Sequence, residues 1–457
     1  MTHRPSFRTV VALAAMLCGL AAAASAQTWK PGRTPDGQPG LRAEYFASKS
    51  LSGAPAYTAT DSVVEADWAE AAPRADMNGN DFGVRWSGTF TPPSTGAYRL
   101  GVIGTMKFQL FLDDSVVARS VYPQRDDEFP DPRLSQTDPA KPLQLEGGRV
   151  YRLRLDATES YGEAQAQLVW APPSGPLEDA AVAAAQQADA VVLFLGLTAN
   201  LEGEEMRVQI PGFRGGDRTS IDLPAPQQQL LEKVVAVGKP TVLVLLNGSA
   251  LAVNWAQQHV PAIIEAWYPG QAGGTAIADV LFGEYNPAGR LPVTFYKSVS
   301  DLPSFDDYAM KERTYRYFTG TPLYPFGHGL SYTTFAYRNL RTSAERVAAS
   351  GTIDVSVDVT NSGSVAGDEV VQLYASHPAS KVPRAIKDLR GYRRVSLKPG
   401  ETRTVRFAVP ASSLAYWDER THGWIVESAP VKLQAGASSA DIRAEHTIQV
   451  IGGGVTR

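Results

Sequence analysis

Apolar and polar residues alternate in short runs along residues 41–173, and turn residues separate the runs. Examples are Arg85–Phe90, Phe108–Leu112 and Tyr151–Leu155. A period of two places every second side chain on the same face, which is typical of half-buried strands. The pattern therefore predicts a β-sandwich over residues 41–173 as the first domain.

The hydrophobic rhythm then changes. Three predominantly apolar runs, Ala190–Leu195, Thr241–Leu246 and Ile263–Trp267, alternate with segments of helical periodicity. This order is typical of a parallel sheet covered by helices on both faces. We therefore predict an α/β domain over residues 178–340, with its functional edge at the carboxyl ends of the strands. Alternation returns afterwards and predicts a second, immunoglobulin-like β-sandwich over residues 345–452.

The first residues have the features of an export signal. Two arginines precede an apolar stretch, Val10–Ala24, which ends in the small-residue pattern Ala24-Ser25-Ala26. The apolar stretch is short and alanine-rich for a membrane-spanning helix. We predict a cleaved signal peptide over residues 1–26, a Pro/Gly-rich linker over residues 27–40 and an exported protein, periplasmic or extracellular, with no membrane contact after cleavage.

The amino-acid composition limits the kinds of molecule that the protein is expected to bind. The 457 residues are 44% apolar and 20% charged with a net charge of −4, which is typical of a soluble multidomain protein and disfavours a nucleic-acid partner. The single cysteine, Cys18, lies in the predicted signal, so the mature chain has no disulfide and no thiolate metal site. The sequence contains no zinc, phosphate-loop or dinucleotide motif, and we predict no cofactor.

The most informative stretch follows Leu195. Glu202, Glu204 and Glu205 cluster between glycines, beyond the carboxyl end of a predicted buried strand. A general acid needs a carboxyl group whose pKa can be raised by burial or by a neighbouring negative charge, and clustered glutamates provide the second means. The same cluster also fits a solvated turn, and spacing alone does not separate the two interpretations.

Six segments occur in order through the predicted α/β domain: L-E-G-E-E at Leu201–Glu205, G-G-D-R at Gly215–Arg218, I-D-L-P-A-P-Q at Ile221–Gln227, W-Y-P-G-Q-A-G-G at Trp267–Gly274, F-G-E-Y-N-P-A-G-R-L-P-V-T at Phe282–Thr294 and P-L-Y-P-F-G-H-G-L-S-Y at Pro322–Tyr332. In these segments the chain resembles the C-terminal α/β domain of glycoside hydrolase family 3, the family of β-glucosidases and β-xylosidases. Residues 41–173 resemble the protective-antigen-type sandwich that some members carry, and residues 345–452 resemble their fibronectin type III-like domain.

The resemblance implies a retaining mechanism with two carboxyl groups about 5 to 5.5 Å apart, acting on a β-linked oligosaccharide or an aryl glycoside. Glu202 matches the family's acid/base glutamate best. Glu204 and Glu205 are alternatives, since this loop varies in length between members. Trp267 is a candidate platform for a sugar ring at the end of its strand, with core packing as the alternative.

The resemblance places the nucleophilic aspartate on an N-terminal (β/α)₈ barrel, which needs about 200 to 250 residues. The sequence shows no segment of this kind, so we expect half of an active site. Three interpretations stay open. The chain is a noncatalytic carbohydrate-binding or interaction protein, one subunit of a glycosidase completed by a separate barrel-containing polypeptide, or the product of a gene that lost the part encoding the barrel.

Overall fold

A computed structural model describes residues 32–120, 142–160, 164–171, 173, 176–198, 202, 209–214 and 217–455. The predicted signal peptide lies outside these residues. The described residues form two compact units. The first contains residues up to 191 together with those in 200–218 and 230–240, and the second contains 192–198, 219–229 and 241–455.

Ten strands of the first unit form a β-sandwich: β1 (Leu41–Phe46), β2 (Tyr57–Asp61), β3 (Glu65–Asp67), β4 (Gly83–Phe90), β5 (Gly96–Ile103), β6 (Lys107–Leu112), β7 (Ser115–Arg119), β8 (Leu143–Leu145), β9 (Tyr151–Thr158) and β10 (Gln165–Ala171). One sheet has the order β2-β1-β4-β9-β6-β7 and the other β3-β10-β5-β8. Trp86 on β4 lies opposite Leu155 on β9. Side chains from both sheets, including Tyr98 on β5, share one core, so the alternating pattern forms the sandwich that it predicts.

The middle of the chain contains α1 (Pro176–Gln187), β11 (Val191–Gly196), β12 (Gln209–Ile210), β13 (Phe213–Arg214), β14 (Asp217–Arg218), α2 (Ala225–Val235), β15 (Thr241–Leu246), α3 (Asn254–His259), β16 (Ala262–Glu265), α4 (Gly273–Phe282) and α5 (Thr314–Tyr317). Strands β11, β15 and β16 form one sheet in that order. β15 and β16 run parallel, with Leu245 opposite Glu265. The predicted parallel sheet is therefore present.

The faces of this sheet are less completely covered by other elements than its apolar sequence predicts. The central strand β15 is mostly buried, but Phe194 on β11 is 50% exposed. Val191, Val192 and Leu193 before it are only part-buried, so neither face of the strand is fully covered at these positions. The prediction that helices cover both faces of every strand is therefore wrong for β11.

The second unit ends in another β-sandwich. Its strands are β17 (Phe335–Thr342), β18 (Arg346–Ala348), β19 (Thr352–Asn361), β20 (Gly367–Ser376), β21 (Asp388–Leu397), β22 (Thr402–Pro410), β23 (Tyr416–Asp418), β24 (Gly423–Val426), β25 (Pro430–Gly436), β26 (Ile442–Ile451) and β27 (Gly453–Val455). The main sheets are β17-β19-β22 and β18-β26-β25-β20-β21. Val357 on β19, Leu373 on β20 and Leu433 on β25 lie in their common core.

Polar contacts attach this sandwich to the α/β part of the same unit. The Arg290 guanidinium lies 3.1 Å from the Glu369 carboxylate, and the two side chains are only 7% and 2% exposed. Arg316 on α5 donates to Asp388 on β21 at 2.6 Å. These ion pairs make the α/β segment after β16 and the final sandwich one packed body.

None of the described helices combines the length and apolar character needed to cross a lipid bilayer.

Candidate functional site

The strand that leads into the glutamate-rich loop ends at a fixed point. Gly196 closes β11 with φ +140°, and a Cβ atom there would lie 1.9 Å from the Leu246 carbonyl oxygen. The Gln227 side chain holds both backbone groups of Gly196: its Oε1 accepts from the N–H (2.7 Å) and its Nε2 donates to the carbonyl (2.8 Å). A side chain would not fit this backbone, so the chain leaves the sheet in one direction.

Glu202 is the member of the predicted acid cluster that the structure describes. It is part-buried and follows the end of β11. Glu204 and Glu205 lie outside the described residues, so the choice among the three glutamates stays a prediction. Beyond the loop, β12, β13 and β14 form a small antiparallel sheet. The Arg218 guanidinium lies over the buried Phe213 ring, 5.7 Å from its centroid, and this packing anchors the returning segment.

The carboxyl group of Glu265 lies at the carboxyl ends of the parallel strands. Glu265 closes β16, and burial raises the pKa of its carboxyl to about 7, although hydrogen bonds from Asn247 and the Trp267 backbone oppose the increase. Asn247 follows β15 and is fully buried. Oε2 of Glu265 and Oδ1 of Asn247 are buried acceptors that no donor among the described residues reaches. Protonation of Glu265 would convert one of these acceptors into a donor.

The same carboxylate holds a strained turn. Trp267 has φ +55°, a region that costs a bulky residue about 1 to 3 kcal/mol. Its backbone N–H donates to Oε1 of Glu265 at 3.2 Å. The preceding residue is also fixed, because the Ala266 N–H donates to the Leu245 carbonyl at 2.9 Å. The carboxyl group that gains or loses a proton at this edge of the sheet is therefore the same group that holds the Trp267 backbone.

The Trp267 ring packs against other aromatic side chains. Its centroid lies 6.1 Å from that of Phe295, at an interplanar angle of 79°. Phe295 in turn contacts Tyr324, with centroids 6.0 Å apart. Burial and the negative charge of Glu265 raise the pKa of Tyr324 to about 12. Trp267 keeps part of its surface exposed, so core packing accounts for one edge of the ring and its role as a sugar platform stays a prediction.

The structure brings Asn247, Glu265 and Trp267 together in the second unit, whereas Glu202 belongs to the first unit. Of these, sequence reasoning singled out only Glu202 and Trp267 as site residues. A signal for Glu265 did exist, because it is the acidic residue in an otherwise apolar strand, and a buried charge needs a stated reason. Among the residues that the structure describes, no group of three His, Cys, Asp or Glu side chains could hold a metal ion.

Comparison with known families assigns most of the chain. Residues 30–332 match the sequence model of the glycosyl hydrolase family 3 C-terminal domain. Residues 369–439 match that of the fibronectin type III-like domain.

Individual relatives are glycosidases. The chain is 36% identical over 415 residues to a xylan 1,4-beta-xylosidase of Xylanibacter ruminicola, with 89% of this chain and 46% of that protein covered. It is also 36% identical over 322 residues to a periplasmic beta-glucosidase of Salmonella typhimurium, covering 67% of this chain and 40% of the relative. A beta-glucosidase structure from Kluyveromyces marxianus in complex with glucose superposes with a TM-score of 0.71 at 27% identity, covering 93% and 52% of the two chains. The chain thus spans about half the length of these relatives, or less.

Proposed function

Because the chain belongs to glycosyl hydrolase family 3, we propose that it supplies the acid/base half of a retaining β-glycosidase site, with Glu202 as the acid/base residue. The match of the family's C-terminal domain to residues 30–332 carries this proposal. Glu202 also follows β11 along the chain, in the loop to which the family resemblance assigns the acid/base glutamate.

Glu202 acts twice in this reaction. As a carboxylic acid it donates its proton to the glycosidic oxygen while the bond from that oxygen to the anomeric carbon breaks and a second carboxylate attacks the carbon from the opposite face. The alcohol leaves, and a glycosyl ester stays on the second carboxylate. The Glu202 carboxylate then takes a proton from water, whose oxygen attacks the anomeric carbon and releases the sugar.

We assign the second carboxylate to a barrel-containing polypeptide segment outside these 457 residues, in keeping with the half-length coverage of the relatives. The chain alone is then inactive, because it lacks covalent catalysis and most of the contacts that would position the sugar. The proposed substrates are β-linked xylo- or gluco-oligosaccharides and aryl β-glycosides, the chemistry that the names of the xylosidase and glucosidase relatives share.

A covalent chimera tests the role of Glu202. It joins this chain to the part of the X. ruminicola xylosidase that the match leaves uncovered. We expect the chimera to hydrolyse p-nitrophenyl β-xyloside and Glu202→Gln to lower kcat about 10²- to 10⁴-fold. A 2,4-dinitrophenyl leaving group needs no proton, so the variant should still release it in a burst, and azide should restore turnover by replacing water.

Glu204→Gln and Glu205→Gln are the matched controls and should keep near-normal turnover. Azide rescue in one of these variants instead would move the acid/base role to that residue. Turnover by the unfused chain that Glu202→Gln abolishes would contradict an external nucleophile. A folded chimera without turnover, together with oligosaccharide binding by the chain alone, would favour the noncatalytic interpretation.

We also propose that the chain is exported. One relative is named as periplasmic, and the charged, apolar and small-residue regions of residues 1–26 occur in the order that signal peptidases recognise. Expressed with its own first residues, the protein should be recovered outside the cytoplasm with Gln27 as its first residue. N-terminal sequencing of the purified protein checks this, and recovery of uncleaved chain in the cytoplasm would contradict it.

A further inference from the structure

Large apolar side chains are exposed in one short segment of the second unit. Val299, Phe305, Tyr308 and Met310 are 45%, 88%, 95% and 41% exposed, and we call these four residues the Phe305–Tyr308 surface. Scattered single apolar residues are normal on a protein surface, but a concentration of large ones marks an interaction site. The two aromatic residues are almost fully exposed, so this segment needs an explanation.

Two consecutive turns expose these aromatic rings. The Asp307 N–H donates to the Ser304 carbonyl at 3.0 Å, which closes a turn around Phe305. The Ala309 N–H then donates to Oδ1 of Asp307 at 2.8 Å, which closes a second turn around Tyr308. Because each aromatic residue lies at the corner of a turn, its side chain extends into solvent.

One arginine fixes both turns. The Arg313 guanidinium donates to the carbonyls of Ser304 (3.0 Å), Asp307 (2.5 Å) and Ala309 (3.2 Å). These bonds satisfy three backbone acceptors of an exposed loop and hold the loop in one shape. An exposed apolar segment that is ordered before binding loses less conformational entropy when a partner docks.

The segment is also held at both ends. Before it, the Asp301 carboxylate accepts from the backbone N–H of Ser298 at 3.2 Å. After it, Glu312 and Thr314 both have φ +58°, which is unfavourable for a β-branched threonine. The Glu312 carboxylate accepts from the N–H (2.9 Å) and hydroxyl (3.0 Å) of Thr319. The fold maintains this backbone despite its strain, as is common at functional positions.

We propose that the Phe305–Tyr308 surface docks the polypeptide segment that brings the second carboxylate, an inference that rests on the proposed function. Valine and methionine do not stack on sugar rings, whereas aromatic residues and methionine are enriched in protein interfaces. Asp306 and Asp307 lie within the same segment, so the docking face should carry Lys or Arg at its rim. In the relatives, the matched part is joined to further residues of the same protein, and those residues are the partner to which we assign the docking.

Hydroxyl-radical footprinting tests the docking directly. The full chain is oxidised alone, after mixing with the uncovered half of the X. ruminicola xylosidase, and with xylohexaose. Mass spectrometry should show strong oxidation of Phe305, Tyr308 and Met310 in the free chain and about ten-fold protection in the mixture. Tyr392 on β21, which is 62% exposed, is the internal control and should be oxidised equally in all samples.

A double variant, Phe305→Ala with Tyr308→Ala, should keep the circular dichroism spectrum of the wild type and bind the uncovered half about ten-fold more weakly, whereas Tyr392→Ala should bind normally. Equal oxidation with and without the partner half would overturn the docking proposal, and so would failure of the halves to associate. Protection by xylohexaose, or self-association that the double variant abolishes, would assign the surface to another occupant and would also overturn it.

These results are separable from the test of Glu202. In the covalent chimera the two halves need no docking affinity to stay together. Chimera turnover that depends on Glu202 would therefore leave the proposed function intact even if the Phe305–Tyr308 surface stays unprotected.

Discussion

At the scale of single residues, Glu265 combines three features that are costly separately. Its Oε2 atom is buried without a donor, its carboxyl has a raised pKa, and it holds a tryptophan at positive φ. A folded protein keeps such a group when the neutral form is the one that fits. Glu265 therefore behaves as a neutral acid in the fold through most of the weakly acidic range.

Glu265 should make stability depend on pH. Its pKa is about 7 in the folded protein against an ordinary value of 4.5. Between these values the folded state holds a proton that the unfolded chain has lost, so the free energy of unfolding falls as pH rises through this range and levels off above it. The decrease is of the order of 3 kcal/mol, at 1.36 kcal/mol per unit of pKa difference.

Glu265→Gln should remove that decrease, because the amide keeps the shape of the neutral acid and does not titrate. Urea unfolding at a series of pH values from 4 to 9 measures the free energy of unfolding of both proteins. The wild type should lose about 3 kcal/mol more than the variant over this range. Glu284→Gln, at an exposed position just after α4, is the control and should leave the curve unchanged. A wild-type and Glu265→Gln pair with parallel curves would refute the neutral-acid description.

Gly196→Ala should cost clearly more stability than an ordinary glycine substitution. The added Cβ would lie 1.9 Å from the Leu246 carbonyl oxygen, in a backbone with φ +140°. Gly238 also has positive φ, but open space surrounds its Cβ position, so Gly238→Ala should cost only about 1 kcal/mol. Thermal unfolding compares the two variants, and equal melting temperatures would show that the exit from β11 is not fixed as described.

At the scale of elements, single side chains and glycines fix the points where the chain leaves a strand or a helix. The end of β11 is held by the Gln227 amide, and the end of β16 by the Glu265 carboxylate. Helix α4 stops at Gly283, whose φ of +77° gives a left-handed cap. Each of these devices sets the direction in which the chain leaves a regular element.

The contact between the Arg290 loop and β20 provides a test at this scale. Glu369→Ala would leave the nearly buried Arg290 guanidinium without its carboxylate and should lower the free energy of unfolding by about 3 to 5 kcal/mol. A double variant, Arg290→Met with Glu369→Leu, removes both charges and should recover most of the loss. If Glu369→Ala costs less than about 1 kcal/mol in urea unfolding, the pair does not couple the two elements.

At the scale of the whole molecule, the α/β segment after β16 and the final sandwich belong to one compact unit. Glu265 and the Arg290–Glu369 pair lie in that same unit, although they belong to different elements. Substitutions at Glu265 and at Glu369 should therefore change the same unfolding transition, that of the second unit.

Scanning calorimetry can test this cooperativity. The transition that Glu369→Ala moves to lower temperature should be the transition whose midpoint depends on pH through Glu265. A second variant, Trp86→Ala in the core of the first sandwich, should act on the transition of the first unit. If Glu369→Ala and Glu265→Gln move different transitions, the second unit does not unfold as a single body.

The alternating and continuous apolar runs were sufficient to predict two sandwiches and a parallel sheet, because side-chain periodicity follows directly from strand geometry. The burial of β11 was predicted less well, since an apolar sequence such as that around Phe194 does not report which neighbours cover it. The family motifs predicted that Glu202, Glu204 or Glu205 is the acid/base residue, but the sequence does not distinguish between glutamates within the same loop.

The sequence by itself determined the types of element, their order and the family resemblance, because these depend on residue periodicity and on short ordered motifs. Only the tertiary structure showed that Asn247 and Glu265 are buried together, that Gln227 clamps Gly196, and that Arg313 holds Phe305 and Tyr308 exposed. These properties depend on which residues from distant parts of the chain meet and on how much water they lose. Burial and hydrogen-bond partners then set each group's pKa and rigidity.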